Sequence, residues 1–184
     1  LSVTGEYYGV EKTIEKEFAV FVKQDSRGPW QVRDIVARDA ETDEANGFTG
    51  LAGASGVDTF VIGSSTYAIV ASQTDGEVQM INISNPAAIV ALDQMGDAGT
   101  RELNGAHTVD TFQLSAGNTT ATYAIVASYL DDGVQMIDIS NPAVIVAKSD
   151  DTDEANGFTE LDGAIGVDTF QLSAGNTTAT YAIV

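Results

Sequence analysis

Two acidic loops carry the residue types best suited to metal chemistry. The segment "ETDEANGFT" at 41–49 returns as "DTDEANGFT" at 151–159. Hard cations such as Ca²⁺ take six to eight oxygen ligands from loops of this composition. The spacing is not that of an EF-hand, because Gly157 falls one place late and Ala155 occupies a ligand position. The candidate ligands are Asp151, Asp153, Glu154 and Asn156 in one loop and Glu41, Asp43 and Asn46 in the other.

A solvated acidic loop is the alternative interpretation of both segments, and the sequence favours it. The middle of the chain, at 93–97, does not repeat the oxygen-bearing pattern. A ligand set that fails to recur is weak support for a metal site. Calcium is therefore the one candidate cofactor that the sequence indicates, and we expect no other.

Three asparagines lie in the acceptor pattern for N-glycosylation. Asn118 and Asn176 are each followed by two threonines and lie at predicted hairpin tips, where a glycan has room. The general preference of asparagine for turns explains these two positions equally well. Asn82 lies inside a predicted strand, which makes it a poor acceptor.

The aspartates of a recurring "VDTF" motif, Asp58, Asp110 and Asp168, are predicted to be structural. An aspartate at the start of a strand usually accepts hydrogen bonds from backbone N–H groups nearby, and we expect these from the preceding turn. His107 is the only histidine and aligns with Ser55 and Ile165 in the other repeats. We therefore interpret it as a loop residue rather than as a catalytic base.

The composition contains few of the groups on which enzyme mechanisms depend. The chain has no cysteine, which excludes disulfides and thiolate metal sites. It shows no nucleophile–histidine grouping and no glycine loop of the kind that binds phosphate. A pair of carboxylates can hydrolyse glycosides in principle, but no pair is singled out among so many acids. We predict a non-catalytic protein.

The charge is strongly negative and unevenly distributed. The formal net charge is −19, from 27 acidic and 8 basic residues. Residues 1–38 are neutral overall, and beyond them Arg101 and Lys148 are the only basic residues. Such a surface repels phosphate backbones and attracts cations, so we expect no nucleic-acid partner. No apolar run reaches 18 residues, so we expect no membrane insertion in this segment.

The elements that position these residues are set by an internal repeat of about 56 residues. "VDTF" begins at 57, 109 and 167, and "TYAIV" begins at 66, 122 and 180. We assign residues 1–38 to a degenerate first unit or N-terminal strands. The repeats proper then occupy 39–92, 93–148 and, as a partial copy, 149–184.

Each repeat is predicted to form four short antiparallel strands. In the second copy these are "VDTFQL", "TYAIVAS", "GVQMIDIS" and "AVIVAK", separated by turn signals at Gly117-Asn118, Asp132-Gly133 and Asn141-Pro142. The second strand is apolar on both faces and must therefore be covered on both faces. Stacked sheets provide that cover. We predict an all-β fold of tandem four-stranded antiparallel blades, similar to a β-propeller.

The first 38 residues leave two interpretations open. The segment "EFAVFVKQ" at 17–24 resembles "TYAIVASQ" at 66–73, which favours a strand. Val10, Ile14, Phe18 and Phe21 also fall on one face of a helix, so a short helix is the alternative.

The segment "TYAIVASYLDDGVQMIDISNPAVIVA" at 122–147 resembles the LVIVD repeat. The resemblance rests on Tyr123 and the apolar strand after it, on Gly133-Val134, on "MIDIS" at 136–140 and on Asn141-Pro142. It covers roughly residues 30–184, although Asn82 replaces the aspartate found at Asp138. It implies β-propeller blades and an extracellular or cell-surface location.

The number of repeats bears on how such a protein works. Propellers have 4 to 8 blades, and this sequence holds fewer, so we expect either a piece of a longer protein, which the sequence favours, or a ring that is shared between chains. Strands at 18–37 and 167–184 are complementary and would complete a blade between neighbours, giving a filament subunit as one alternative. We expect a repeat protein for adhesion, surface structure or partner binding. Its partner would be a surface protein, a glycan or another copy, and a propeller-borne hydrolase is the remaining alternative.

Overall fold

The computed structural model describes residues 3–7, 10–14, 22–23, 31–32, 37–116, 118–174 and 177–184. The chain divides into two compact units, Leu1–Ala37 and Arg38–Val184. All the described secondary structure is β-strand and turn, as the sequence predicts. The described part of the chain holds no helix long and apolar enough to cross a membrane.

The described residues of the first unit form two small antiparallel sheets. Strand β1 (Val3–Tyr7) pairs with β2 (Val10–Ile14), and β3 (Val22–Lys23) pairs with β4 (Gln31–Val32). Val10 and Ile14 therefore lie in a strand and not in the alternative helix. The rest of the proposed helical face, Phe18 and Phe21, lies outside the described residues, as does most of the predicted strand at 17–24.

The second unit begins with a four-stranded antiparallel sheet that we call sheet 1. Its strands are β5 (Ala54–Ile62), β6 (Ser65–Ser72), β7 (Glu77–Asn82) and β8 (Val90–Gly96), and they are paired in chain order. Each connection is a short antiparallel one, and the fourth strand extends past residue 92, where the sequence interpretation ends the first full repeat.

The next repeat forms sheet 2 with the same strand order. Its strands are β9 (Ala106–Ala116), β10 (Thr119–Ser128), β11 (Gly133–Asp138) and β12 (Val146–Thr152). A hairpin of β13 (Asp168–Ala174) and β14 (Thr177–Ile183) follows from the third repeat. The prediction of repeated four-stranded antiparallel sheets is thus confirmed.

The fourth strand of each repeat begins later than the sequence indicates. We predicted 143–148, whereas β12 begins at Val146 and extends to Thr152. The reason is the Asn-Pro turn, in which Asn141 accepts hydrogen bonds from the N–H of Ala143 through Oδ1, at 3.2 Å, and from the N–H of Val144 through its carbonyl, at 2.9 Å. These bonds hold the chain in a turn, and the strand starts only after it.

A hydrogen bond just before the Asn-Pro turn explains why Asn82 and Asp138 are interchangeable. Asn82 Oδ1 accepts the backbone N–H of Ser84 at 2.9 Å, and Asp138 Oδ1 accepts that of Ser140 at 3.0 Å. Either side chain supplies the required acceptor oxygen. Asp138 also forms an ion pair with Lys148 at 3.2 Å.

Sheets 1 and 2 pack face to face, which provides the cover that their apolar strands require. We call the face of sheet 1 that carries Phe60, Ile69 and Met80 its front, and the opposite face of any repeat its back. The front of sheet 1 packs on the back of sheet 2, where Val126 and Ile137 are fully buried. A second cluster covers the back of sheet 1, where Phe48 lies against Ala68 and Ile81.

A buried glutamine ties the third strand to the fourth in each sheet. Gln135 donates from Nε2 to the carbonyls of Ser149 at 2.9 Å and Met136 at 3.0 Å, and its Oε1 accepts the N–H of Glu102 at 3.2 Å. The pairing register shifts at this point because Lys148 is an extra residue in β12, which forms a β-bulge. Gln79 makes the matching bonds in sheet 1.

Candidate functional site: the acidic end of the sheets

Most of the carboxylates collect at one end of the two sheets. The antiparallel pairing places the start of the first and third strands and the end of the second and fourth strands at the same edge. The loops at this edge form what we call the acidic end. Its acidic residues are Glu41, Asp43, Glu44, Asp75, Glu77, Asp97, Glu102, Asp131, Asp132, Asp150, Asp151, Asp153, Glu154, Glu160 and Asp162.

The opposite edge, which we call the neutral end, has few charged groups. Its described turns and loops are 63–64, 83–89 and 139–145, together with Asn118, and none of these residues is acidic or basic. The charges beside them are Asp39, which accepts the N–H of Ile89 at 2.7 Å, Asp93, which accepts that of Ile145 at 2.8 Å, and the Asp138–Lys148 ion pair. Among the described residues, Arg101 is the one basic residue at the acidic end, and its guanidinium donates to the carbonyl of Gly96 at 2.5 Å. The two ends of the sheets therefore differ in charge density.

The two predicted calcium loops have the same backbone conformation. Glu44 and Glu154 have φ of 62° and 61°, and Asn46 and Asn156 have φ of 51° and 47°. In each loop a glycine follows in the same left-handed region. Asparagine adopts the left-handed region more readily than most residues, whereas glutamate does not. The conformation of Glu44 and Glu154 is therefore set by the surrounding structure and not by the preference of the residue alone.

The predicted ligands are used largely within their own loops. Asp43 Oδ1 accepts the N–H of Leu51 at 3.0 Å, and Asp153 Oδ1 accepts that of Leu161 at 2.8 Å. Each loop asparagine also binds an acid five residues earlier: Asn46 Nδ2 donates to Glu41 at 2.8 Å and Asn156 Nδ2 to Asp151 at 2.6 Å.

The structure thus brings the candidate ligands together in pairs. Across the described ranges, no three acidic or histidine side chains are placed to share one metal ion. The calcium site stays a prediction, and its geometry would require the paired side chains to rearrange around the ion.

Further aspartates at the acidic end fasten the loops to the strand turns. Asp75 Oδ2 accepts the N–H of Ala52 at 2.8 Å, and Asp131 Oδ2 accepts that of Asn104 at 2.8 Å. Burial raises the pKa of Asp131, as does the charge of Asp97, whereas the hydrogen bonds from Asn104 act in the opposite direction.

Two glutamates at the acidic end were missed by the sequence interpretation. Glu77 and Glu102 come from different segments, since one begins β7 and the other precedes β9. In the other repeat, Gly133 is aligned with Glu77 and Gly50 is aligned with Glu102. Within each repeat the glycine faces the glutamate: a Cβ on Gly50 would lie 2.9 Å from Glu77 Oε2, and one on Gly133 would lie 3.3 Å from Glu102 Cβ. Each repeat therefore has one glutamate and one glycine at this contact, in exchanged positions. That reciprocal exchange is the sequence signal that identifies them.

Both glutamates lie in an unfavourable electrostatic environment. Burial raises the pKa of Glu77, and the charges of Asp75, Asp43 and Glu44 raise it further. One carboxylate oxygen of Glu77 is buried and has no hydrogen-bond donor.

Glu102 shows the same behaviour in the second repeat. Burial raises its pKa first, and Asp131, Asp150 and Asp97 add to the effect. The chain thus holds a crowded carboxylate at the same place in two successive repeats.

Two of the three "VDTF" aspartates, Asp58 and Asp110, are structural, but their partners across repeats are not those predicted. Asp58 Oδ2 accepts the N–H of Thr111 at 2.8 Å and its hydroxyl at 2.5 Å. Asp110 Oδ2 likewise accepts the N–H of Thr169 at 2.8 Å and the hydroxyl of the same threonine. Each aspartate therefore binds the next repeat and not the turn before it. We call this contact the aspartate–threonine clasp.

His107 lies in a strand, which corrects the prediction of a loop. It is the second residue of β9, and its Nδ1 lies 2.9 Å from the carbonyl of Ile165, to which it donates. Ser55, at the aligned position, donates its hydroxyl to the carbonyl of His107 at 2.8 Å. The position therefore connects successive repeats, as the clasp does.

The predicted glycosylation sites have different outcomes. Asn118 is exposed at the tip between β9 and β10, which is compatible with an attached glycan. Asn176 lies outside the described residues. Asn82 is the last residue of β7, and its side-chain oxygen accepts a hydrogen bond from the N–H of Ser84.

Comparison with known proteins identifies no relative of this chain. No protein-family model matches it, and a search of curated proteins finds no match.

Proposed function

We propose that this protein is a non-catalytic repeat protein of the LVIVD type, located outside the cell or on its surface. Its sheets would be blades of a β-propeller-like arrangement, and it would bind a partner through the acidic end. The observation that carries the proposal is the separation of charge between the two ends of the sheets. The recurring buried residues maintain the scaffold, whereas the acidic loop found at 41–49 and 151–159 is not repeated at 93–101.

The charge at the acidic end is not neutralised by neighbouring cations. In the described part of the chain the one ion pair, Lys148–Asp138, lies outside the loops of the acidic end. An uncompensated cluster of carboxylates produces a negative potential that attracts cationic surfaces and accelerates association with them. The partner we propose is a surface protein with a basic patch, or a glycan held through bound cations.

Calcium binding belongs to the same proposal. The loops at 41–48 and 151–158 repeat one backbone conformation and present carboxylate and amide oxygens. Calcium would replace the internal hydrogen bonds of each loop with metal–oxygen bonds and lower the local negative charge. Isothermal titration of calcium into the chelator-treated chain tests this directly. We expect heat of binding that falls when Asp151 and Asp153 are both replaced by Asn and is lost when Glu41→Gln and Asp43→Asn are added, and a titration of the wild-type chain without heat would end the calcium proposal.

Partner binding is tested with a glycan array and a panel of surface proteins that carry basic patches. The informative variant replaces Glu44, Glu154 and Glu160 by Gln, which removes three exposed charges from the acidic end. We expect its binding to fall at least tenfold and the salt dependence to weaken. A control with Ser64→Ala and Val144→Ala, both at the neutral end, should bind as the wild type does. Equal binding by the charge-neutralised variant would contradict the proposal.

A further inference from the structure

The chain contains three asparagine–glycine pairs, at 46–47, 104–105 and 156–157. Each is a candidate for deamidation, because glycine has no side chain to hinder attack by its own main-chain nitrogen. In that reaction the nitrogen bonds to Cγ of the preceding asparagine and loses its proton, while the side-chain amide leaves as ammonia. Water then opens the resulting succinimide ring at one of its two carbonyls and leaves aspartate or isoaspartate. The three pairs are chemically alike, so their surroundings decide which of them react.

The first and third pairs are the central residues of two-residue turns. Asn46 and Gly47 have φ of 51° and 85°, and Asn156 and Gly157 have φ of 47° and 92°. Positive φ at both central residues is typical of a type I′ turn, for which asparagine–glycine is the preferred sequence. The turn is closed by a bond of 2.8 Å to the carbonyl of the preceding alanine, from the N–H of Phe48 to Ala45 and from that of Phe158 to Ala155.

The central peptide group of these turns is not held by hydrogen bonds. Within the described part of the chain, neither the asparagine carbonyl nor the glycine N–H of either pair has a partner. The peptide group is therefore able to rotate until the glycine nitrogen faces Cγ. Asn46, Gly47, Asn156 and Gly157 are all exposed, so water reaches the ring that forms. The first of these loops is exposed although the complete sheet 1 follows it.

The pair at 104–105 has the same sequence but is fixed by the turn between β10 and β11. The carbonyl of Asn104 accepts the N–H of Leu130 at 3.2 Å, and its own N–H donates to Asp131 Oδ2 at 2.8 Å. Gly105 is buried, and its carbonyl accepts the N–H of Tyr129 at 3.0 Å. A Cβ on Gly105 would lie 2.8 Å from the nitrogen of Leu130. Rotation of this peptide group breaks a hydrogen bond and moves the chain against a neighbouring backbone.

We propose that Asn46 and Asn156 are sites of spontaneous deamidation in the folded protein, and that the fold protects Asn104. The amide that leaves is the one that donates to Glu41 at 2.8 Å in the first loop and to Asp151 at 2.6 Å in the second. Each event replaces this hydrogen bond with two neighbouring carboxylates and adds one negative charge to the acidic end. Water is the only co-reactant, and nothing is oxidised or reduced.

Peptide mass spectrometry of the intact folded chain after incubation tests the proposal. The chain is held in mildly alkaline buffer made with water enriched in heavy oxygen, and is then digested in ordinary water. We expect acids that carry the heavy oxygen at positions 46 and 156. Conversion of Asn104 should be at least about fivefold slower, because a hydrogen bond must first be broken. The buffer contains a chelator, so the outcome does not depend on the calcium proposal.

The same incubation in concentrated urea is the control for protection by the fold. Unfolding removes the bonds around Asn104, so all three pairs should then convert at similar rates. Two results would overturn the proposal. One is equal conversion of Asn104 and Asn156 in the folded chain, and the other is a folded chain that keeps Asn46 and Asn156 intact while the unfolded chain loses them.

Gly157→Ala tests the route of the reaction. The added methyl group hinders the attacking nitrogen in the third pair, whereas Gly47 is unchanged. We expect most of the conversion at Asn156 to be lost, with conversion at Asn46 in the same molecules as the internal control. Conversion of Asn156 at the wild-type rate in this variant would exclude the succinimide and overturn the proposed mechanism.

Discussion

At the scale of single residues, the acids of this chain divide into those that hold backbone N–H groups and those that are crowded. Asp43 and Asp153 were predicted as metal ligands from composition, and the structure shows that each fixes a leucine N–H eight residues later. The sequence identifies a carboxylate oxygen but not the group that it binds. An aspartate at the same position in a loop can bind a metal ion or accept a backbone N–H. Glu77 was overlooked because Asp43 and Glu44, which raise its pKa, are near it only in the folded chain.

The crowding of Glu77 predicts a stability that depends on pH. Its pKa in the folded chain lies above the ordinary value of 4.5, so ionisation costs more in the folded state than in the unfolded state. The stabilising effect of the protonated form is complete below that ordinary value and is lost as the pH rises through the folded pKa. Glu77→Gln should therefore raise the melting temperature at pH 7 by about 1–2 °C and change it little at pH 4.

Glu160→Gln is the control for this measurement. Glu160 lies at the same acidic end but is exposed, so its replacement removes one charge without relieving a buried carboxylate. Thermal unfolding followed by circular dichroism at both pH values compares the two variants. An equal gain for Glu77→Gln at pH 4 and pH 7 would show that packing, and not charge, is responsible.

Gly56 is a second residue whose neighbours decide its role. A Cβ at this position would lie 2.6 Å from the carbonyl oxygen of His107 and 2.8 Å from Thr108 Cα, both backbone atoms of the next repeat. Gly56→Ala must therefore separate β5 from β9, and we expect a loss of about 1–3 kcal/mol in the free energy of unfolding. Gly166 occupies the aligned position with nothing within 4 Å, so Gly166→Ala should be neutral or slightly stabilising. Similar losses for both variants in denaturant unfolding would contradict this explanation.

At the scale of elements, the sequence predicted the strands and their stacking but not the details of their junctions. The apolar pattern of residues 123–127 required cover on both faces, and the packed sheets supply it. The partners of Asp58 and the strand position of His107 were not predictable, because both depend on which residue of the next repeat lies opposite. The start of β12 was misplaced because apolar residues after Pro142 extend the pattern of a strand into a hydrogen-bonded turn.

The buried glutamine of each repeat is likewise visible in the sequence only as a polar residue in an apolar strand. Gln135 satisfies two carbonyls and one N–H around the bulge in β12, and it is fully buried. Gln135→Leu leaves these backbone groups without partners, each at a cost of about 1–3 kcal/mol. We expect the variant to lose at least about 2 kcal/mol of stability.

Gln73→Leu is the matched control for the glutamine prediction, because Gln73 is exposed immediately after β6. The same chemical change there should alter the free energy of unfolding by no more than about 0.5 kcal/mol. Urea unfolding of both variants gives the comparison. If Gln135→Leu were as stable as Gln73→Leu, the polar bridge between third and fourth strands would contribute nothing to the fold.

At the scale of the whole molecule, the repeated sheets differ in their surfaces along the strand direction and across the stacked sheets. Along the strands, the loops at one end are rich in acids and those at the other contain none, a separation that composition alone does not reveal because it depends on antiparallel pairing. Across the sheets, the front of sheet 1 covers the back of sheet 2. The difference along the strands is the basis of the partner binding proposed at the acidic end.

The acidic end also predicts how the folded chain responds to salt. With Asp43, Asp75 and Glu77 forced together in one repeat and Asp97, Glu102 and Asp131 in the next, folding concentrates negative charge that the unfolded chain disperses. Sodium chloride screens that repulsion, so the melting temperature should rise steadily with salt at pH 7. The same salt series at pH 4, where Glu77 and Glu102 are largely protonated because their pKa values lie above 4.5, should give a smaller rise. Equal rises at both pH values would assign the effect to strengthened apolar burial instead of to the acidic end.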